Sequence, residues 1–242
     1  MSIPLDLVTM ERAVEICLAR MDGTGNRPLR VITLNPEMVM YARRDPAFSA
    51  CFEGDTLVVP DGTGIMLACL RRGWREVRRV PGVELCQRLA AEAARRSLPV
   101  FLYGGEPGVA ELAARALGER YPDLIVGGTA HGFLSQAELA GLPARIAASG
   151  AKLVFAGLGV PRQEYWLLRN LERTGAAVGM GVGGSFDVLS GRTRRAPQIM
   201  RRLGIEWLYR VLREPRRLIR LRVMPGYIWL ALKPEARRRC SE

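Results

Sequence analysis

Histidine and lysine are nearly missing from this 242-residue chain, which holds one histidine, His131, and two lysines, Lys152 and Lys233. A Ser/His/Asp apparatus would have to use His131, yet Ser185 lies in no G-x-S-x-G elbow, and neither H-E-x-x-H nor an EF-hand pattern occurs. Hydrolase chemistry and histidine-based metal sites are therefore disfavoured, and His131 reads as a hydrogen-bonded loop residue. No Asp-x-Asp pair occurs either, so the usual means of holding a divalent ion beside a sugar nucleotide is lacking and no metal site is expected. The five cysteines, Cys17, Cys51, Cys69, Cys86 and Cys240, are scattered without a C-x-x-C pair, which argues against a disulfide framework and against structural zinc. Only two residues follow Cys240, so no prenylation box is expected. Near the C-terminus the apolar stretch Tyr227 to Leu232 has six residues, whereas a membrane span needs about 20. The first twenty residues mix Asp6, Glu11 and Glu15 into an amphipathic pattern that does not resemble a secretory signal. Together these absences predict a cytoplasmic protein.

What is present is ordinary in bulk and lopsided in charge. Apolar residues at 48% and charged residues at 25% suit one globular domain with an appendage. The net charge is +12, and nearly all the basic residues are arginine. The segment 196–242 carries twelve basic and four acidic residues, so about a fifth of the chain holds two thirds of the excess. Such an excess points to nucleic acid, an anionic membrane surface or phosphorylated ligands.

Up to about residue 195, short β-type runs alternate with helical patterns. The runs are 29–34, 55–59, 99–103, 123–127, 151–157 and 176–182, nearly continuous in apolar residues, as befits strands covered on both faces. Helical patterns at 81–96 and 161–173 open with Pro81-Gly82 and Pro161. The alternation predicts an α/β fold with a Rossmann-like parallel sheet, helices on both faces, and ligands at the carboxyl ends of the strands. The chain divides into a core, 1–195, and a basic helical appendage, 196–242. In the appendage Ile199, Leu203, Trp207 and Val211 share a helical face opposite Arg201, Arg202, Arg210 and Arg213, and Pro215 and Pro225-Gly226 then interrupt the pattern.

The strand ends direct attention to a few polar residues. Thr33 and Asn35 follow the first strand, and Asp61 follows the second. Asn35 reads either as a cap for a helix opened by Pro36 or as a ligand-edge residue, and Asp61-Gly62 either as a turn or as a proton-accepting carboxylate beside Thr33. The fifth strand leads into Gly159 to Glu164, and the sixth into Gly181-Val182-Gly183-Gly184-Ser185-Phe186-Asp187. Glycines ahead of a helix expose N–H groups that suit phosphate, while Gln163, Glu164 and Asp187 read equally as first-turn caps. The first strand has no glycine after it, which weighs against a dinucleotide fingerprint.

Seven groups of residues occur together in one order: Thr33-x-Asn35, Pro60-Asp61-Gly62-x-Gly64, Arg79 ahead of Pro81-Gly82, Gly159-x-Pro161-x-Gln163-Glu164, Gly181 to Asp187, Arg195-Ala196-Pro197 and Glu206-Trp207-Leu208-Tyr209-Arg210. The series resembles the WecG/TagA/CpsF glycosyltransferase family over about nine tenths of the chain. The resemblance implies an inverting transfer of N-acetylmannosamine, its uronic acid or glucose from a UDP-sugar to a polyprenyl-diphosphate-linked acceptor; with no Asp-x-Asp pair and many arginines, that transfer is expected to need no metal, and no cofactor is expected. It implies a setting on the cytoplasmic face of the membrane, with anionic lipid as partner and no nucleic acid. It makes Asp61 the catalytic base with Thr33 and Asn35 beside it. Arg79, Gln163, Asp187, Gly183 and Gly184 fall to donor binding, and Arg210, Arg217 and Arg220 of the appendage to the diphosphate. One position departs from the family pattern: after Gly132 the family often has tyrosine, and this chain has Phe133. Two other readings are a nucleotide-dependent dehydrogenase and a nucleic-acid-binding protein using the arginine tail. The sequence leaves open whether the protein forms a homo-oligomer.

Overall fold

The computed structural model describes residues 3–74, 76–193, 196, 197, 200, 209 and 223–232. Six strands, β1 (Leu29–Leu34), β2 (Thr56–Pro60), β3 (Val100–Gly104), β4 (Val126–Ala130), β5 (Leu153–Gly157) and β6 (Val178–Gly181), form one sheet in the order β2-β1-β6-β5-β3-β4. Every pairing is parallel. The expected α/β class and Rossmann-like architecture are therefore present.

Helices cover both faces because the strand side chains alternate with period two. Val31, Leu57, Val59, Val100, Leu102, Leu153, Phe155, Val178 and Met180 point to one face, where they meet α1 (Met10–Met21), α4 (Gly82–Arg95) and α5 (Val109–Arg120). The intervening residues point the other way into two further clusters. Ile32, Leu34 and Val58 pack with α2 (Pro36–Arg44), the 3-10 turn Pro46–Phe52 and α3 (Thr63–Arg71). Phe101, Tyr103, Val154 and Ala156 pack with α6 (Gln136–Ala148) and α7 (Arg162–Asn170). Both faces are thus apolar, which is why the strands lack alternation in the sequence. Four of the cysteines, Cys17, Cys51, Cys69 and Cys86, are free and buried, and burial raises the thiol pKa of Cys17 to about 12. They act as small core residues.

The strands fall within one or two residues of the sequence reading except the fourth, which departs furthest. The fourth strand is Val126–Ala130 rather than 123–127, because the apolar Leu124 packs into the core from the preceding turn. The glycine-rich segment after it makes the ladder instead, as an edge strand whose Gly128 lies close against the Phe101 ring. The pairing with β3 shifts register between Val100 and Phe101.

A short helix α8 (Ser185–Leu189) follows β6, and α9 (Met224–Leu232) lies beyond the core. Pro225 and Gly226 fall in the first turn of α9, where proline lacks only a donor that has no helical partner. Tyr227 and Ala231, one turn apart, are buried in the cluster formed by α2 and α3. The amphipathic stretch 201–208 and the arginines Arg195, Arg210, Arg217 and Arg220 lie outside the described residues.

Candidate functional site at the carboxyl edge of the sheet

The register of β1 against β2 sets the first part of the site. Thr33 pairs with Val59 and Leu34 with Pro60, so Asn35 and Asp61 leave the sheet side by side. The backbone N–H of Asp61 still donates to Leu34 at 2.9 Å, which carries the pairing one residue past the strand. Asn35 does cap a helix: its Oδ1 accepts from the Met38 N–H at 3.1 Å, with Pro36 in the first turn. Gly62 has φ +84°, which turns the chain away immediately after the carboxylate.

Gly82 opens α4 and joins Thr33 to Asp61. Its N–H donates to Asp61 Oδ2 at 3.2 Å, and a Cβ there would sit 3.1 Å from Thr33 Oγ1. The half-buried Asp61 carboxylate thus lies at the positive end of a 14-residue helix, a position that favours negative charge. Arg79 stands in the extended segment leading to α4. That segment runs beside the end of β2, with the Val80 N–H donating to Pro60 at 2.8 Å.

Gln163 is 1% exposed and ties two loops together. Its Oε1 accepts from the Gly159 N–H at 3.1 Å and from the Gly183 N–H at 2.9 Å, linking the turns after β5 and β6. Its Nε2 donates to Glu164 Oε1 at 2.7 Å. All the strong acceptor capacity of the amide is spent on backbone, so Gln163 shapes these loops. Glu164 is 2% exposed, and burial raises its pKa to about 7, with a further rise from Glu37, against the lowering effect of the Gln163 hydrogen bond. Its buried carboxylate also takes a backbone hydrogen bond in the first turn of α7, which lowers the pKa in turn.

A cavity of about 390 Å³ opens on this edge at the ends of β3, β4 and β5. Gly105, Gly132 and Gly157 form its floor, and Arg162, Asp187, Arg192, Glu106 and Phe133 surround it. Gly104 has φ +136°, and any Cβ there would strike the Gly157 carbonyl, so these two strand ends approach as closely as backbone allows. Arg162 donates to the Gly132 carbonyl at 2.9 Å, and Arg192 pairs with Glu106 at 2.9 Å across the opening. His131 is the loop residue its isolation suggested, its Nδ1 accepting from the Phe133 N–H at 3.2 Å.

Thr33, Asn35 and Asp61 therefore gather at β1 and β2, while Asp187 lines the cavity and Gly184 precedes α8. Gln163 and Gly183 lie between the two groups. With strands about 4.8 Å apart, β1 and β5 are separated by roughly 10 Å, a span one extended ligand can bridge. Sequence reading missed Glu106, Arg162, Arg192 and Thr193. The run Tyr103-Gly104-Gly105-Glu106 after the third strand carried the available signal, since it repeats the strand-then-glycine pattern noted at β5 and β6. It also missed Tyr227, which reaches Gly64 from 163 positions away and had no local signal.

A parallel sheet covered on both faces, with a carboxylate, glycine turns and arginines along its carboxyl edge, defines a Rossmann-like α/β protein with its site at the strand ends. The family model of the glycosyl transferase WecG/TagA/CpsF family matches residues 1–241, and the chain belongs to that family. The chain is 33% identical over 233 residues to the N-acetylglucosaminyldiphosphoundecaprenol N-acetyl-beta-D-mannosaminyltransferase of Staphylococcus aureus strain MW2, covering 96% of this chain and 91% of the relative. The proteins of the same description from strains NCTC 8325 / PS 47 and COL match with the same identity and coverage.

Proposed function

We propose that this protein is an inverting hexosyltransferase that moves N-acetylmannosamine from UDP to a polyprenyl-diphosphate-linked sugar. The observation that carries the reading is Asp61, held at the N-terminus of α4 beside Thr33 at the ligand edge of the sheet. The full-length family match and the relatives described as acting on a diphosphoundecaprenol acceptor support it. Glucose or N-acetylmannosaminuronic acid as the donor sugar would change the product and leave the chemistry the same.

Inversion needs one displacement. Asp61 takes the proton of the acceptor hydroxyl as its oxygen attacks the anomeric carbon, and the bond to UDP breaks on the opposite side. Thr33 and Asn35 flank that carboxylate. The nucleotide occupies the cavity beside Asp187, with the Gly183-Gly184 turn near its phosphates and Gln163 fixing that turn through the Gly183 N–H. Charge growing on the leaving diphosphate is met by arginine, from Arg79 and from Arg210, Arg217 and Arg220 of the appendage, in place of a divalent ion. No helix among the described residues is long and apolar enough to cross a membrane. The lipid-linked acceptor is reached from the surface, with the basic appendage resting on anionic lipid at the cytoplasmic face.

The test is transfer from a panel of UDP-sugars to a short-chain polyprenyl-diphosphate-N-acetylglucosamine, followed by mass spectrometry. A single hexosyl addition with release of UDP is the expected result. Absence of transfer from every donor, with UDP failing to raise the melting temperature, would refute the reading.

A further inference from the structure

The turn after α3 carries a feature that neither the catalytic edge nor the appendage uses. In α3, Ile65, Ala68 and Cys69 face the core. Leu67 and Leu70 face out, and Leu70 is 53% exposed. One turn further on, Trp74 is held by its N–H to the Cys69 carbonyl at 3.0 Å and is 43% exposed. Leu67 and Leu70, three residues apart, lie on one side of α3, and Trp74 follows the turn that ends the helix, where Gly73 has φ +80°. The neighbouring α9 is built the same way, with Tyr227 and Ala231 buried against α2 and α3 while Ile228 and Trp229, the latter 61% exposed, face out. The two helices are joined by the Tyr227 hydroxyl, which donates to the Gly64 carbonyl at 2.9 Å.

Charge surrounds this apolar surface. The sequence 71–78, RRGWREVR, holds four arginines and one acid, Glu76, and Arg71, Arg72 and Arg78 are exposed. Tryptophan and leucine projecting from a rim of arginine suit the boundary between acyl chains and anionic headgroups. A second copy of this chain fits less well, since a two-fold contact would set one arginine rim against another.

We infer that the outer face of α3 and its arginine turn, with Leu67, Leu70 and Trp74 projecting, is a membrane-docking surface for anionic lipid, continuous with the Ile228-Trp229 face of α9. The inference rests on the transferase reading for its purpose and deepens it by orienting the core. Asp61 lies just before α3, and nine helical residues span about 13 Å. Docking this face therefore sets the Asp61 edge within one short helix of the bilayer, where the head of a lipid-linked acceptor stands.

The experiment uses the full chain and vesicles free of sugar nucleotide and acceptor, so it reads docking apart from transfer. Vesicles of phosphatidylglycerol with phosphatidylcholine are compared with phosphatidylcholine alone. The L67S/L70S/W74S variant should bind the anionic vesicles at least about ten-fold more weakly than wild type. An L112S/L139S variant, altered at exposed leucines on α5 and α6, should bind as wild type does. Brominated acyl chains should quench wild-type fluorescence more than that of Trp74→Phe, which reports contact even if the triple variant folds poorly. Wild-type binding by the triple variant, or equal quenching with and without Trp74, overturns the proposal. So does a change in oligomeric state on sedimentation with vesicle binding intact, which would assign the face to a second copy. Absence of transfer by the wild-type chain, with the triple variant still losing vesicle binding, would count against the transferase reading alone.

Discussion

The hydroxyl of Tyr227, on the helix α9 that packs against α2 and α3, donates to the carbonyl of Gly64, in the first turn of α3 and three residues after Asp61. A Cβ on Gly64 would lie 2.6 Å from Pro36 and 3.1 Å from the Tyr227 ring, so the glycine is what lets α9 settle on this loop. Burial raises the Tyr227 phenol pKa to about 12, which keeps it a donor throughout the physiological range.

Tyr227→Phe removes that donor and leaves a carbonyl short of one partner. The expected loss is about 1 kcal/mol of folding stability. Tyr227→Ala also empties an aromatic site in the core and should lose roughly 3 to 5 kcal/mol. Urea unfolding checks both, and equal losses would mean that the ring packing is immaterial.

Asp61→Asn keeps the shape and the contact with Gly82 while removing the proton acceptor. Turnover should fall about 100-fold to 10,000-fold with UDP affinity within a few-fold of wild type. Retention of more than a tenth of wild-type turnover would take Asp61 out of the base role.

Transfer should proceed in excess EDTA, since the proposed function has arginine in place of the ion that an Asp-x-Asp pair would hold. The measurement is turnover before and after magnesium is restored. A strict need for magnesium would show that the diphosphate is bound by other means.

Glu164→Gln keeps an acceptor for Gln163 and abolishes a titration. The wild-type carboxyl holds its proton up to about pH 7 when folded, against an ordinary carboxyl value near 4.5 when unfolded. Between those values the folded state binds more protons, so wild-type stability falls as pH rises from about 4.5 to about 7 and is level above that. The melting temperature of Glu164→Gln relative to wild type should rise over that window, by an amount equivalent to no more than roughly 3 kcal/mol. Parallel pH profiles for the two proteins would refute the assignment.

Arg217→Ala should weaken donor use with little effect on vesicle binding, since one charge among the twelve basic residues of 196–242 matters more to a diphosphate than to a bilayer. Steady-state kinetics at varied UDP-sugar concentration, with co-sedimentation in parallel, separate the two roles. A variant with unaltered kinetics would leave that arginine outside the site.

The sequence by itself determined the architecture. Six apolar runs in alternation with helical patterns leave little choice but a parallel sheet covered on both faces, since a strand without period-two polarity has no side to give to water. It also marked Asn35, Asp61 and the glycine turns, because strand ends announce themselves by a change from apolar to small and polar residues. It could not decide between cap and ligand-edge residue for Asn35, or between turn and carboxylate for Asp61, because each role uses the same local chemistry. Tertiary structure decided what such residues touch: Gln163 ties the loop at Gly159 to the loop at Gly183, Glu164 is buried, and Gly82 meets both Thr33 and Asp61. The start of β4 likewise depended on a partner, since Leu124 is apolar enough for a strand and was claimed by the core instead. The seat of α9 on α3 is the extreme case, because a hydrogen bond between residues 64 and 227 exists only once the sheet between them has brought its two ends together.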